Sequence, residues 1–199
     1  MGNCRTFSTP LVPNKQLGTA REEEMTALRN LNVNYHSAIG IINFLSTATL
    51  PDLSFSVSCL SQDLENPGFK HWQACLHVLH YLRGSLDVFL EYPRRGSQGI
   101  TSWSDADLGN CQSTRWSITG NLATIHGCLV LWKTRKQPSV YILTAEDEYK
   151  ALCNITSKLL WLKQWSEEER ILKLEAPITF WEDNQSCINT ATGDCNFNG

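Results

Sequence analysis

Apolar residues recur at helical spacing in the first half of the chain and alternate with polar residues in much of the second half. In the first half, the spacing predicts three helices: Tyr35 to Thr47, Pro51 to Leu64 and Phe69 to Arg83. Pro51 suits the first position of a helix, and Gly84 suits the residue that stops one. The sequence therefore predicts a helical first half.

The segment that precedes these helices has a different composition. Pro10, Pro13 and Gly18 disfavour regular structure over about the first 20 residues, so we expect an extended segment there. The acidic run from Glu22 to Glu24 is expected to begin a solvated helix.

Alternating patterns in the second half predict a mixed arrangement of strands and helices. The predicted elements are strands Gly99 to Ser104, Ser117 to Ile125 and Cys128 to Lys133, helix Ala145 to Glu169, strand Ile178 to Glu182 and a short helix from Gln185 to Thr192. We expect His126-Gly127 to form a hairpin turn, and Ser85 to Tyr92 to add a strand before the others. This order of elements is typical of an α/β domain.

The long helix opens with three carboxylates, Glu146, Asp147 and Glu148. Thr144 is a candidate N-cap with Asp147 in a capping-box position, which would explain Glu146 and Asp147 by helix capping and helix-dipole effects alone. Glu148 differs because it lies on or beside the apolar stripe of the helix. A carboxylate on that face needs a partner.

Two further acids follow apolar, β-leaning runs, Asp105 in the first strand region and Asp183 in the last. Acids at strand ends and at a helix start can converge at one edge of a mixed sheet. Magnesium prefers hard carboxylate oxygens, and two such ions can clamp a phosphodiester displacement. The alternative is that Asp105, Glu148 and Asp183 are unrelated capping or surface acids, which are common in α/β domains.

Composition limits the possible partners. The chain has 199 residues, 42% hydrophobic content and a formal net charge of −3, which allow one compact domain plus a subdomain and argue against a broadly basic nucleic-acid binder. Nucleic-acid binding must then depend on a local patch, for which Lys133, Arg135 and Lys136 are the best candidates. The alternative for these three residues is a solvated strand edge.

Cysteine usage bears on the cellular compartment. The eight cysteines form no C-x-x-C pair, and neither a signal peptide nor a run of about 18 apolar residues is present. We therefore expect reduced, mostly packed thiols in an intracellular protein, in the cytoplasm or alternatively the nucleus. A rival hypothesis comes from Met1 to Thr6, which fits an N-myristoylation signal on Gly2 with Cys4 available for a second acyl chain.

His71, His77 and His80 share one predicted helix. Histidines at this spacing could bind a metal ion, but a fourth ligand or acidic partner is not evident from the sequence. Packing at the surface or between helices is the favoured hypothesis.

Several sequence words occur in one order along the chain: Ser104-Asp105-Ala106-Asp107, Thr114 to Gly120, Trp132 to Gln137, Thr144 to Tyr149 and Asp183 to Ser186. Together they resemble the ribonuclease H domain of copia-type retrotransposon Pol polyproteins. Three upstream words, Asn34 to Gly40, Ala48 to Asp52 and His80 to Gly84, resemble the segment that joins reverse transcriptase to ribonuclease H in that family. The resemblance covers nearly the whole chain.

The resemblance implies an α/β fold, a ribonuclease H-like mixed sheet with flanking helices that follows a small helical subdomain. It divides the chain into an extended segment 1–33, a helical connection segment 34–95 and a ribonuclease H-like domain 96–199 that is incomplete at its C-terminus. It further implies that Asp105, Glu148 and Asp183 are catalytic metal ligands for hydrolysis of the RNA strand of an RNA–DNA hybrid, with Mg²⁺, or alternatively Mn²⁺, as the cofactor.

The same resemblance assigns secondary roles. Asp107 and Glu146 are second-choice members of the site, and Gln185 joins the three basic residues as a nucleic-acid contact or simply begins the last helix. The expected partners are the RNA–DNA hybrid and the reverse transcriptase palm and fingers supplied by a parent polyprotein. A membrane is the disfavoured partner.

The departures from the family pattern shape the expected activity. The family's fourth acid would follow Gly199, so we expect ribonuclease H activity to be weak or lost, and the absence of a Tyr-x-Asp-Asp motif predicts no polymerase activity. One alternative is a catalytically silent remnant that binds nucleic acid or a polymerase. The third choice is a dual-acylated protein at a membrane surface.

Overall fold

The structure, a computed structural model, describes residues 5–13, 17–93, 99–107, 116–137, 144–168 and 177–193. Gly2 and Cys4 of the proposed acylation signal, Cys111, and the C-terminal residues 194–199 with Cys195 lie outside this part of the chain. The chain separates into two compact units, Met1–Leu90 and Glu91–Gly199. None of the helices in the described residues is long and apolar enough to cross a bilayer.

The described residues of the first unit contain four α-helices, and the last three of these supply most of one apolar core. The helices are α1 (Glu22–Asn30), α2 (Tyr35–Ala48), α3 (Ser54–Leu60) and α4 (Phe69–Gly84). The Asn34 side chain caps α2 by accepting a hydrogen bond of 2.9 Å from the Ser37 N–H. The buried core residues are Tyr35, Ile39, Ile42, Leu53, Val57, Leu60, Ala74, Cys75 and Val78.

The region predicted as one helix from Pro51 to Leu64 is broken. Single turns of 3₁₀-helix, Pro51–Leu53 and Ser61–Asp63, flank the seven-residue α3. Both 3₁₀ turns lie at the ends of the α-helix, where tighter turns are common. The spacing of apolar residues predicted helical structure in this region, but it did not predict the division into one α-helix and two 3₁₀ turns.

The histidines of α4 pack against the N-terminal segment. His71 is fully buried, its Nδ1 accepts from the Gly68 N–H, and its Nε2 lies 3.1 Å from the Gly18 carbonyl oxygen and 3.3 Å from an Asp63 carboxylate oxygen. His77 stacks on Phe7 with ring centroids 3.9 Å apart. His71 therefore has an acidic partner, contrary to the sequence expectation.

The second unit is a mixed α/β arrangement whose described residues form a four-stranded sheet and two helices. Its elements are β1 (Ile100–Asp107), β2 (Ile118–Ile125), β3 (Cys128–Lys136), α5 (Thr144–Glu168), β4 (Thr179–Trp181) and α6 (Gln185–Thr192). The strand order is β3-β2-β1-β4. β2 pairs antiparallel with both β1 and β3, and β4 pairs parallel with β1. The mixed α/β class predicted from the sequence is thereby confirmed.

The hairpin prediction at His126-Gly127 is also confirmed. Both residues have positive φ, +52° and +78°, as a two-residue turn of this type requires. The strand predicted over Ser85 to Tyr92 is wrong: residues 85–87 form a turn, and residues 88–93 are irregular. Leu86 and Phe89 are 79% and 71% exposed. This segment therefore has the apolar residues typical of a strand, but most of them are not buried.

The core of the second unit lies between α5 and the sheet. Ile155 and Leu159 of α5 are fully buried against Ile100 of β1 and Ala123 of β2. This contact fixes which side of α5 faces the sheet. It therefore also fixes where the carboxylates in the first turns of α5 lie.

Candidate metal centre

The register of the two parallel strands aligns Asp105 with Asp183. Trp103 of β1 pairs with Trp181 of β4, and each aspartate comes two residues after its tryptophan. Because the strands run in the same direction, equal offsets from a paired position lead to the same edge of the sheet. The sequence predicted that the strand ends at Ser104, directly before Asp105. In the structure β1 continues to Asp107, so Asp105 lies within the strand.

Glu148 reaches the same edge from α5. It precedes Ala151, Ile155 and Leu159 on the buried face of the helix, and all three of those residues are fully buried. Spacings of three and four residues keep a side chain on one helical face. Glu148 is therefore carried toward the sheet and is only 6% exposed.

The structure brings the three predicted acids together. One carboxylate oxygen from each of Asp105, Glu148 and Asp183 lies within 4.8 Å of the other two. The two aspartates are exposed and Glu148 is buried. Three carboxylates at this separation repel one another unless protons or a cation reduce their charge.

The electrostatics of Glu148 reflect this crowding. Burial raises the pKa of Glu148 to about 8, and the negative charges of Glu182, Asp105 and Asp183 contribute in that order. A hydrogen bond from the Ala106 backbone N–H acts in the opposite direction. Glu148 Oε2 is buried and has no hydrogen-bond partner among the described residues.

The donor set fits a divalent cation such as Mg²⁺ or Mn²⁺. It consists of hard carboxylate oxygens, which both ions accept as ligands. One of these oxygens, Glu148 Oε2, is available because no donor within the described part of the chain occupies it. A cation between the three residues would offset the repulsion that raises the Glu148 pKa.

Glu182 is a fourth acid of this neighbourhood that sequence reasoning did not select. Its Oε2 accepts from the Ser104 hydroxyl at 2.9 Å, and its Oε1 accepts from the Asn184 N–H at 3.2 Å. It makes the largest contribution of any acid to the raised Glu148 pKa. The available signal was its position directly after β4, which places it beside Ser104 by the strand register.

Asp147 has a different role from the predicted one. Thr144 is the first residue of α5, and the Asp147 carboxylate accepts from the Ser117 hydroxyl at 2.5 Å instead of returning to Thr144. Asp147 is fully buried, and its backbone carbonyl accepts from Gln137 Nε2 at 3.2 Å. The capping-box prediction is therefore wrong, because tertiary contacts with residues before the helix draw Asp147 inward.

The second-choice acids lie outside the three-carboxylate cluster. Asp107 is the exposed last residue of β1, and Glu146 is exposed in the first turn of α5. Gln185 is the first residue of α6, and its Nε2 donates to Asn189 Oδ1 at 2.9 Å. Gln185 thus begins the helix, as one of its two predicted roles required.

The predicted basic residues lie on β3, on the far side of β2 from β1. Lys133 and Arg135 are exposed and line a groove that is closed on its other side by α5. Lys136 also lines it and lies over the Trp116 ring, with Nζ 5.0 Å from the ring centroid. The basic residues therefore form one patch, separate from the carboxylate cluster.

The fold and the site define a class of protein: a mixed α/β domain with a candidate divalent-cation centre at one edge of its sheet. The carboxylates of this centre come from two parallel strands and from the start of a helix. Comparison with known proteins gave matches to individual proteins but not to a family model or a solved structure.

Relatives among characterised sequences are informative. The chain is 40% identical over 131 residues to the secreted RxLR effector protein 161 of Plasmopara viticola, which covers 66% of the chain and 92% of that protein. It is 33% identical over 195 residues to the retrovirus-related Pol polyprotein from transposon TNT 1-94 of Nicotiana tabacum, and 28% identical over 149 residues to that from transposon RE2 of Arabidopsis thaliana.

These two matches cover 95% and 75% of the chain but only 14% and 10% of the polyproteins. The chain is similar over most of its length to retrovirus-related Pol polyproteins of transposons, which is consistent with a fragment of a copia-type Pol polyprotein. It therefore spans a small part of the length of these Pol relatives.

Proposed function

We propose that the second unit is a ribonuclease H-like domain that hydrolyses the RNA strand of an RNA–DNA hybrid with a divalent cation. The observation that carries the proposal is the convergence of Asp105, Glu148 and Asp183, whose oxygens lie within 4.8 Å of one another. The order of strands and helices and the similarity to Pol polyproteins of transposons support it.

In this proposal the three carboxylates hold the cation, Mg²⁺ or alternatively Mn²⁺. When bound, such an ion offers positive charge to phosphodiester oxygens and lowers the pKa of a water molecule that attacks phosphorus. Glu148 must release its proton to become a ligand, and a nearby cation favours that release. Asp105 and Asp183 remain exposed, which leaves their side of the cluster accessible to a substrate.

Two further groups of residues support this chemistry. Glu182 is held at both carboxylate oxygens, by Ser104 and by the Asn184 N–H, and so fixes the backbone on either side of Asp183. Lys133, Arg135 and Lys136 supply positive charge in a chain whose net charge is −3. We assign these basic residues to phosphates of the nucleic acid.

The test is cleavage of a labelled RNA–DNA hybrid by the purified full chain with Mg²⁺, Mn²⁺ or EDTA. Cleavage should require the metal ion and should fall at least about 100-fold in Asp105→Asn and in Glu148→Gln, since each removes a ligand. The matched control is Glu146→Gln, which removes the same charge from the same helical turn outside the cluster. This control should keep most of the activity.

Two results would count against the proposal. If the folded chain bound the hybrid without cleaving it, the silent nucleic-acid-binding alternative would replace the nuclease hypothesis. If Glu146→Gln lost as much activity as Glu148→Gln, the cluster would not be the catalytic centre. A DNA duplex of the same sequence should resist cleavage, because the 2′-hydroxyl is what distinguishes RNA from DNA.

A further inference from the structure

A polar groove of about 150 Å³ lies between α5 and the edge strand β3. Register builds its floor: Asn121 pairs with Lys133 and Thr119 pairs with Arg135, so the side chains of each pair project from the same face of the sheet. Its wall comes from α5, where Lys150, Asn154 and Lys158 recur every four residues along one stripe. The fold thus brings two separate basic patterns together.

Four of the five cations that line this groove have no acidic partner in the described part of the chain. Within the described ranges, none of Lys133, Arg135, Lys150 and Lys158 forms an ion pair with a carboxylate. The pKa of Lys158 is lowered, first by burial and then by the positive charges of Lys133 and Arg135. Positive charges that crowd one another in this way are relieved when an anion binds between them.

Buried amides form the floor of the groove. Asn121 and Gln137 line the groove and are 6% and 3% exposed. Asn121 Oδ1 and Gln137 Oε1 have no hydrogen-bond partner in the described part of the chain. Gln137 is held in place through its Nε2, which donates to the Thr119 hydroxyl at 2.9 Å and to the Asp147 carbonyl oxygen at 3.2 Å. The amides thus form a polar floor, and the positive charge of the groove comes from its lysines and its arginine.

We propose that this groove binds a phosphate group through Lys133, Arg135 and Lys158. A water occupies about 30 Å³ in the liquid, so the volume equals roughly five waters, enough for one tetrahedral oxyanion. β3 lies two strand spacings from β1, about 10 Å across the sheet. The phosphate site is therefore separate from the carboxylate cluster and does not depend on its chemistry.

The test begins with inorganic phosphate and the full chain in EDTA, at ionic strength held constant with sodium chloride. Phosphate should shift backbone amide NMR signals of β3 and of α5 around Lys158. Lys158→Met keeps most of the apolar stem, and it should weaken phosphate binding about tenfold because one charge-assisted hydrogen bond is lost. Arg135→Gln, on the exposed edge strand, should do the same.

The matched control is Lys163→Met, which removes one positive charge from the same helix at a position that pairs with Glu167 at 3.9 Å. This control should change phosphate affinity by less than about twofold. Equal affinities in Lys158→Met and Lys163→Met would overturn the proposal.

A second arm identifies the source of the phosphate, again in EDTA. If Lys158→Met weakens binding of an RNA–DNA hybrid as well, the groove holds a phosphate of the nucleic-acid backbone. If only inorganic phosphate binding weakens, the groove holds a small phosphate compound. Because both arms measure binding without a divalent cation, failure of the cleavage test leaves this proposal standing, and failure here leaves the carboxylate cluster untouched.

Discussion

At Glu148, burial and charge act in the same direction. The side chain is 6% exposed and faces three other acids, and its pKa is raised from the ordinary 4.5 to about 8. Between pH 4.5 and pH 8 the folded protein therefore holds a proton that the unfolded chain has released. The free energy of unfolding must fall as pH rises through this window, because the folded state binds more protons than the unfolded state.

The fall in the free energy of unfolding with rising pH gives a prediction for the metal-free protein. In EDTA, the stability of the wild-type chain should decrease from about pH 5 to pH 8, and Glu148→Gln should remove that decrease because glutamine does not titrate. Urea denaturation at several pH values measures the effect. Glu146→Gln is the control and should keep the wild-type slope, and equal slopes in wild type and Glu148→Gln would show that Glu148 is ionised throughout.

Single residues also show how far local pattern can predict a site. Asp105, Glu148 and Asp183 could be selected because each has an identifiable local context: the end part of a strand, the apolar face of a helix or the residues after a strand. Glu182 also follows a strand, but its partner Ser104 is 78 residues away in sequence, and Ser117, the partner of Asp147, is 30 residues away, so the roles of these two acids could not be predicted locally. Hydrogen bonds of that range are set by the fold.

Among the elements, the start of α4 depends on close packing by the N-terminal segment. A Cβ atom at Gly68 would lie 2.6 Å from the Ala20 Cβ and 3.0 Å from the Glu24 Cβ. Lys70 strengthens the same contact by donating to the Thr19 carbonyl at 2.8 Å and pairing with Glu24 at 3.4 Å. Only glycine fits at position 68 without a shift of its neighbours.

We therefore predict that Gly68→Ala lowers the free energy of unfolding by about 1–3 kcal/mol, the usual cost of overpacking. Adding Ala20→Gly should restore part of the loss, since it removes the nearest clashing atom while the Glu24 Cβ remains. The control is Gly40→Ala in α2, where no atom lies within 4 Å and the change should stabilise by about 0.5–1 kcal/mol. Urea denaturation of the four proteins would refute the packing argument if Gly68→Ala matched Gly40→Ala.

At the scale of elements, the long periodic segments were the most predictable. Helices α2 and α4 begin and end within one residue of the predicted bounds, because each is longer than ten residues and has apolar positions on one face. The failed strand at Ser85 to Tyr92 has strand-forming residues, yet most of its apolar side chains are exposed. β propensity mainly measures fit to a neighbouring strand, which the local sequence does not contain.

For the whole molecule, charge distribution matters more than net charge. The formal net charge of −3 repels a polyanion, so we expect the nucleic-acid affinity of the proposed function to come from the basic residues of β3. Binding through about three phosphate contacts should give a slope near −3 in a plot of log affinity against log salt concentration. Replacing both Lys133 and Arg135 with glutamine should reduce the magnitude of that slope by about 2.

Hybrid binding in EDTA over a range of sodium chloride concentrations measures this slope. Arg29→Gln, which removes an exposed charge paired with Glu22 in the first unit, is the control and should leave the slope unchanged. A slope near zero for the wild-type chain would mean that the basic patch does not contact phosphates.

The sequence by itself determined most of the helices and strands and the chemical type of the candidate site. Helical and alternating periodicities depend on each residue's near neighbours, and Asp105, Glu148 and Asp183 are carboxylates wherever the fold places them. Only the tertiary structure decided distances: the strand register that aligns the two aspartates, the packing of α5 that buries Glu148, and the facing of Lys158 toward Lys133 and Arg135. Those arrangements join residues far apart in the chain, and such contacts form only when the whole core is buried.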